Sequence, residues 1–385
     1  MTCRSFGRRT PAVCLLLLAP AAVFAQTPLP APPVPDAAAP ADVLPPPRPT
    51  SEEQPSSATP PAAASLAPSF GGSGDMMGGR MGMMGGLSPM NGPMPALFSY
   101  RASWFANEPV AGQGTHLGYV QQDLSAAAPI WQNGGDLLSA SANVRAETFS
   151  TGAILPTTGE RFPSELYDVR LGTAYQHTFD NGWVGGANVS VGSASDQPFD
   201  AIRDMTIGAT ASLRVPQGER NAWLFSLNYS NNSQVLYNIP IPGVAYFYNP
   251  ADWFQATIGF PFAGATIRPT DDLTFQFSYA LLTNIHAKAI YRLAPAVRVY
   301  GGFDWCNESY LRAERQDVRD RFDYEYKQVG GGVQVLLSHN ADLDFSTGYD
   351  FDRFYYEGTS FSDQNRNRVD VGDGPFVGAR LSFRY

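Results

Sequence analysis

Several stretches of this 385-residue chain carry charge at every second position. Arg145 and Glu147, then Asp168 and Arg170, stand two residues apart. Further on come His286, Lys288 and Arg292, then Arg298, Asp304 and Glu308, and finally Asp344, Asp350, Asp352, Arg380 and Arg384. Residues two apart on a strand share a face, so each set lies on one side of its segment. Opposite charges spread around an inner wall make a transverse field that orients solutes in a channel. The plainer reading is that they pair across the interior and fill it. Cys306 falls on the same face as a lone thiol.

Other chemistries are thinner. Nucleophilic catalysis needs a base within hydrogen-bonding reach of a hydroxyl or thiol. The chain has four histidines, His116, His177, His286 and His339. His339 sits in a tight turn, His286 faces inward, and no Ser-His-Asn arrangement can be read around His116. No phosphate loop or zinc-ligand cluster appears, so no enzyme is expected. Asp363, Asn365, Asn367 and Asp370, with Asp373 beyond, space oxygen ligands like the start of a calcium loop. Arg368 stands where such a loop needs Gly, and no Glu closes it. A polar turn is the plainer reading, so a weak calcium site is the one cofactor expectation. Seven of the nine Met lie within 71–94. Thioethers suit Cu(I), but a low-complexity hinge accounts for them more simply.

Placing the charged faces requires strands. In Leu273–Leu281, Leu273, Phe275, Phe277, Tyr279 and Leu281 alternate with Thr274, Gln276, Ser278 and Ala280. The same period recurs in about fourteen segments between 96 and 385, with twelve to sixteen allowed. Residues 252–269 read as one strand that bends at Pro261, 234–251 as a long loop, and Gly330–Gly332 as a bulge. Tight turns alternate with longer connections. The apolar faces are aromatic-rich and nearly free of charge over about nine residues, enough for a tilted strand to cross a membrane. A soluble core could not bury the charges opposite; a watery lumen can. The fold expected is therefore all-β, a transmembrane antiparallel β-barrel of about 14 strands over 95–385. An even strand number puts both ends on one side, the periplasm.

The rest of the chain agrees with export. Arg4, Arg8 and Arg9 precede PAVCLLLLAPAAVF, and Val23-Phe24-Ala25 offers a cleavage site, so 1–25 reads as a signal peptide. Cleavage would leave Cys306 alone, with no intrachain disulfide. Residues 26–94, rich in Pro/Ala and then Gly/Met, read as a disordered periplasmic arm. A net charge of −9 argues against a nucleic-acid partner.

The segment VGARLSFRY, with Gly378, Leu381, Phe383 and the terminal aromatic Tyr385, resembles the C-terminal assembly signal of bacterial outer-membrane barrels. Phe376 departs from it, since such signals usually place a polar residue there. VPQGERNAWLFSLNYSNNS, FQATIGFPFA, YALLTNIHAKAIYRL and FSDQNRNRVDVGDGPF likewise resemble an uncharacterised outer-membrane β-barrel family of Gram-negative-type bacteria. That resemblance covers 95–385. It implies the fold, an outer-membrane location and contact with lipid and the barrel-assembly machinery, but no activity. Passive passage of small hydrophilic solutes is the leading expectation. The alternative is a non-conducting barrel whose arm contacts the cell wall or a periplasmic partner.

Overall fold

The computed structural model describes residues 97–233, 237–280 and 284–385. The expected signal peptide and arm lie outside the described residues. The alternating segments form β1 (Leu97–Val110), β2 (Thr115–Asn133), β3 (Asp136–Thr151), β4 (Glu165–Thr178), β5 (Val184–Ser195), β6 (Met205–Gln217), β7 (Asn221–Ser230) and β8 (Ile241–Ala251). They continue as β9 (Phe254–Phe260), β10 (Phe262–Ile267), β11 (Leu273–Ala280), β12 (Asn284–Ala294) and β13 (Val297–Tyr310). Last come β14 (Arg321–Ser338), β15 (Ala341–Gly358), β16 (Val369–Val371) and β17 (Gly374–Arg384).

Each strand pairs antiparallel with its chain neighbours, and β1 pairs with β17 from Leu97↔Arg384 to Phe105↔Phe376. The sheet closes as a sixteen-stranded barrel. The three-residue β16 prolongs the line of β17 and also pairs with β15 and β1. We call the rim where Leu97 meets Arg384 the lower rim.

Sixteen strands replace the fourteen expected, for two reasons. Residues 241–251, expected as loop, form β8, whose alternation is blurred by Pro242, Gly243 and Pro250. Residues 252–269 are two strands that reverse at Pro261 and pair with each other from Gly264↔Thr257 to Ile267↔Phe254. Phe260 is 51% exposed and Phe262 only 8%. Two residues apart on one strand would share a face, so the chain must turn between them. Gly330–Gly332 is no bulge either: its register with β13 and β15 is continuous. Its glycines make room for rings. A Cβ on Gly332 would lie 2.6 Å from Tyr300, and one on Gly330 3.2 Å from Phe376.

The outward positions are apolar and exposed, among them Trp104, Leu171, Phe225, Phe277, Val329, Phe345 and Val377. Aromatics gather near the lower rim, where Trp131, Trp183, Trp253 and Tyr385 are exposed. The wall is uneven. At about 3.3 Å per residue, the eighteen residues of β15 span roughly 60 Å and the six of β10 roughly 20 Å.

On this fold the outer face of β17 tolerates no charge at depth. Leu381→Arg should destabilise the barrel by about 2–4 kcal/mol, with a smaller cost for Phe383→Asp nearer the rim. Arg at the inward-facing Ser382 should cost little. Urea titration of the heat-modifiable folded band measures all three; equal costs for positions 381 and 382 would overturn the assignment of faces.

Candidate functional site

Across successive strands, residues directly opposite Arg101 make one inward-facing row. One way it runs Arg101, Asp123, Arg145, Asp168. The other way it runs Arg101, Arg380, Asp344, Gln334, Arg298, Arg292. Every member but Gln334 is charged. Barrel strands tilt by roughly 35–45°, so the row descends obliquely from the upper half at β4 to the lower rim at β12.

In the upper half these charges are paired. Arg145 donates to Asp123 at 2.7 Å and reaches β13 to donate to Glu308, also at 2.7 Å. Glu308 further accepts from the Tyr310 and Tyr326 hydroxyls at 3.0 and 2.9 Å. Such charge-assisted bonds are about twice as strong as neutral ones. Rings fill the space above. Phe105 stacks on Tyr119 at 4.1 Å, and Tyr119 on Phe149 at 5.0 Å. The segment after β3 turns inward, and its Phe162 lies 5.0 Å from each of Phe149, Phe322 and Tyr355. It thereby joins β3 to β14 and β15. At the top, the Leu311 amide donates to the Ala194 carbonyl at 2.7 Å, so β5 meets the end of β13 from half-way round the ring.

Three arginines, Arg312 and Arg315 between β13 and β14 and Arg321 at the start of β14, fasten this closure. Arg312 donates to Glu357 at 2.6 Å and to Glu160 of the β3–β4 loop. Glu357 also accepts from the amides of Thr157 and Thr158, each at 3.2 Å. Arg315 donates to the fully buried Asp204 at 2.5 Å and to the Arg203 carbonyl, holding the β5–β6 loop. Arg321 donates to Asn232 at 3.0 Å and to the Asn231 carbonyl at 3.2 Å, just after β7. Burial works against the Arg312 charge, but Glu160 and Glu357 outweigh it and raise the guanidinium's pKa above its ordinary value. In the same loop, hydrogen bonds from the Arg319 side chain and backbone pull the Asp317 carboxyl down to about 2.

Below the closure the lumen is lined by partly exposed polar side chains, including Ser125, Ser141, Asn188, Thr210, Gln276 and Ser382, with Asn143 more exposed. Here Lys288 sits 3.5 Å above the Tyr300 ring, and Tyr300 donates to Asp344 at 2.7 Å. Arg380 reaches Asp344 at 3.3 Å.

The residues expected to line the lumen have separate fates. Asp168 pairs with Arg170 at 2.7 Å, His286 with Asp304 at 2.6 Å, and Arg292 with Asp272 at 2.7 Å. Glu147 is buried and accepts from Tyr310 at 3.2 Å. Asp350 is buried opposite Gln328, and Cys306 is buried. Asp352 is a correction: it bonds Lys327 and, at 2.8 Å, Arg368 on the outer side. The register of β15 against β14 shifts there, with Asp352 at φ +49, so Arg353 takes the inward position and donates to Tyr324 at 3.0 Å. The expected calcium ligands do not converge. Asp363 accepts from the Thr359 and Ser360 amides at 3.0 and 3.1 Å, and Asp370 is held by Arg368 at 2.5 Å. Asn365 and Asn367 donate their amides to Ser362 and Glu357 carbonyls at 3.2 and 3.0 Å. No group of three or more His, Cys, Asp or Glu able to hold a metal ion occurs among the described residues. The sequence reading missed Arg101 and the three fastening arginines. The signal was the run LRAERQDVRDR, dense in Arg for a connecting loop.

No family model and no curated protein matches the chain. Solved structures similar to it include an outer-membrane channel from Pseudomonas putida F1, at 10% identity and a TM-score of 0.34, covering 77% of this chain and 98% of that one. The P. putida toluene transporter TodX, at 10% identity and 0.35, covers 77% and 91%. A P. aeruginosa FadL homologue, at 10% identity and 0.34, covers 75% and 90%. At this distance no solute, residue role or partner carries over.

Removing one partner from a buried ion pair costs about 3–5 kcal/mol, because the other charge is left uncompensated. Arg315→Ala should therefore free the segments around Asp204 and Arg315, seen as faster protease cleavage there while the barrel stays folded. Arg319→Ala breaks an exposed, solvent-screened pair and should leave cleavage unchanged. Full protection in Arg315→Ala would show that the arginines do not hold the closure.

Proposed function

We propose that the protein is an outer-membrane barrel giving small hydrophilic solutes a passive path, entered from the lower, periplasmic rim and closed at the outer mouth by the arginine-fastened loops. The carrying observation is the division of the lumen. Its lower part is polar and partly exposed, whereas its upper part is closed by side-chain contacts among loops and strand ends, none of which is a strand pair. The uncharged aromatic belt supports the membrane setting, and the tall β13–β15 wall stands beyond what a bilayer needs, since nine to eleven tilted residues suffice to cross.

A second reading, a non-conducting barrel tethered through the 26–94 arm, is favoured by one feature. The rings packed between β1–β3 and β14–β15 fill the upper lumen.

Planar-bilayer recording tests the first reading. The native protein should show brief ohmic openings, and Arg312→Ala with Arg315→Ala should lengthen them. Folded protein of both kinds that never conducts would leave the tethering barrel in its place. Under that reading, deleting 26–94 should leave the heat-modifiable barrel intact and abolish co-purification with cell-wall material; undiminished association would remove the arm as tether.

A further inference from the structure

The lower lumen gathers cations on neighbouring strands, two of them directly opposite each other. We propose that Arg101, Lys288, Arg298 and Arg380 form a site for small oxyanions, and that this site makes the path anion-selective. The inference rests on the solute path proposed above.

Like charges directly opposite on neighbouring strands destabilise a sheet. Here it happens twice in one row, Arg101 against Arg380 and Arg298 against Arg292. Nearby carboxylates are committed elsewhere. Asp123 holds Arg145 at 2.7 Å, Asp304 holds His286 at 2.6 Å, Asp272 holds Arg292 at 2.7 Å, and Asp342 accepts from Gln334 at 2.9 Å. The amide on Asp342 and the imidazole on Asp304 satisfy hydrogen bonds, and Asp344 is shared by Arg380 and the Tyr300 hydroxyl. Arg101 and Arg298 have no side-chain partner among the described residues. Arg380 is 12% exposed, and its Nε is buried without an acceptor.

The cations also converge. Lys288 is linked through the Tyr300 ring and its hydroxyl to Asp344, the carboxylate that Arg380 also reaches. Its ammonium rests on the Tyr300 ring, which lies close over Gly332, where a side chain would collide with it. Arg101, Lys288, Arg298 and Arg380 thus outnumber Asp304, Asp342 and Asp344 inside a low-dielectric wall, where field lines concentrate counter-ions. Guanidinium forks match the paired oxygens of carboxylate and phosphate. The chemistry fits small phosphates and carboxylates, bound weakly enough to leave.

The test uses the full chain, folded in detergent and in bilayers. In a KCl gradient the native channel should favour chloride over potassium by about 10-fold, the lower end of the enrichment that such clefts give. Arg101→Gln with Lys288→Gln should bring that ratio towards unity while the heat-modifiable band and the conductance persist. Equilibrium dialysis of labelled inorganic phosphate should show saturable binding that this variant loses, and competition by succinate would place carboxylates in the same site. Should the double variant not fold, Arg298→Gln alone should lower both readouts. Saturable binding without any conductance would keep the site and sink the solute path. Conductance that is unselective or cation-selective, with no saturable binding, would sink the site and keep the path.

Discussion

Everything in this structure depends on one pairing, that of β1 with β17. Within hydrocarbon no water can satisfy an unpaired amide or carbonyl, so a spanning sheet must have no edge. The pairing from Leu97↔Arg384 to Phe105↔Phe376 removes the last edge. It also locks the register all round, and register decides which face each side chain takes. A slip of one residue would put Trp104 and Val377 inside and Arg101 and Arg380 outside. The charged row is a product of closure as much as of composition.

Strand length then divides the labour. β13, β14 and β15 run fourteen to eighteen residues, whereas β9 and β10 run seven and six. Loops from β3–β4, β5–β6 and β7–β8 have one tall wall to lean on, and the Arg312, Arg315 and Arg321 side chains are what they meet there. Glu325 and Lys327 face outward near the top of that wall, where a charge has left the hydrocarbon. The uneven rim therefore explains where the cover attaches and how these strands can carry outward charge at their upper ends.

The strands and faces were largely legible in the sequence, because period two survives wherever one side meets lipid and the other water. Legibility failed where the period misleads. FQATIGFPFA keeps an apolar residue at every second place through Phe260 and Phe262, yet the chain reverses between them. In β8, Pro and Gly masked a strand that pairs with β7 in continuous register and with β9 through one shift between Tyr248 and Ala251. At Asp352 one extra residue flips the parity of the strand beyond it, so that Arg353 and Tyr355 face inward. The fastening contacts were out of reach for a different reason. Arg315 and Asp204 lie 111 residues apart, and Arg312 and Glu160 152 apart; nothing local encodes which loop folds back onto which wall.

The slope of the charged row has a consequence for how such a path could evolve. Its upper members, Asp168, Arg145 and Asp123, belong to the packed, paired region beneath the cover, and changing one strands a buried partner. Its lower members, Arg101, Arg298 and Arg380, face partly exposed space and share few bonds with the cover. Additivity holds for sites that are well separated and share no partners. Substitutions in the lower row should therefore alter what the lumen prefers without altering how the mouth is held, and substitutions at Arg312 or Arg315 should do the reverse. On the proposed path, solute preference could change while the closure stays, because the two are written in different stretches of the same wall.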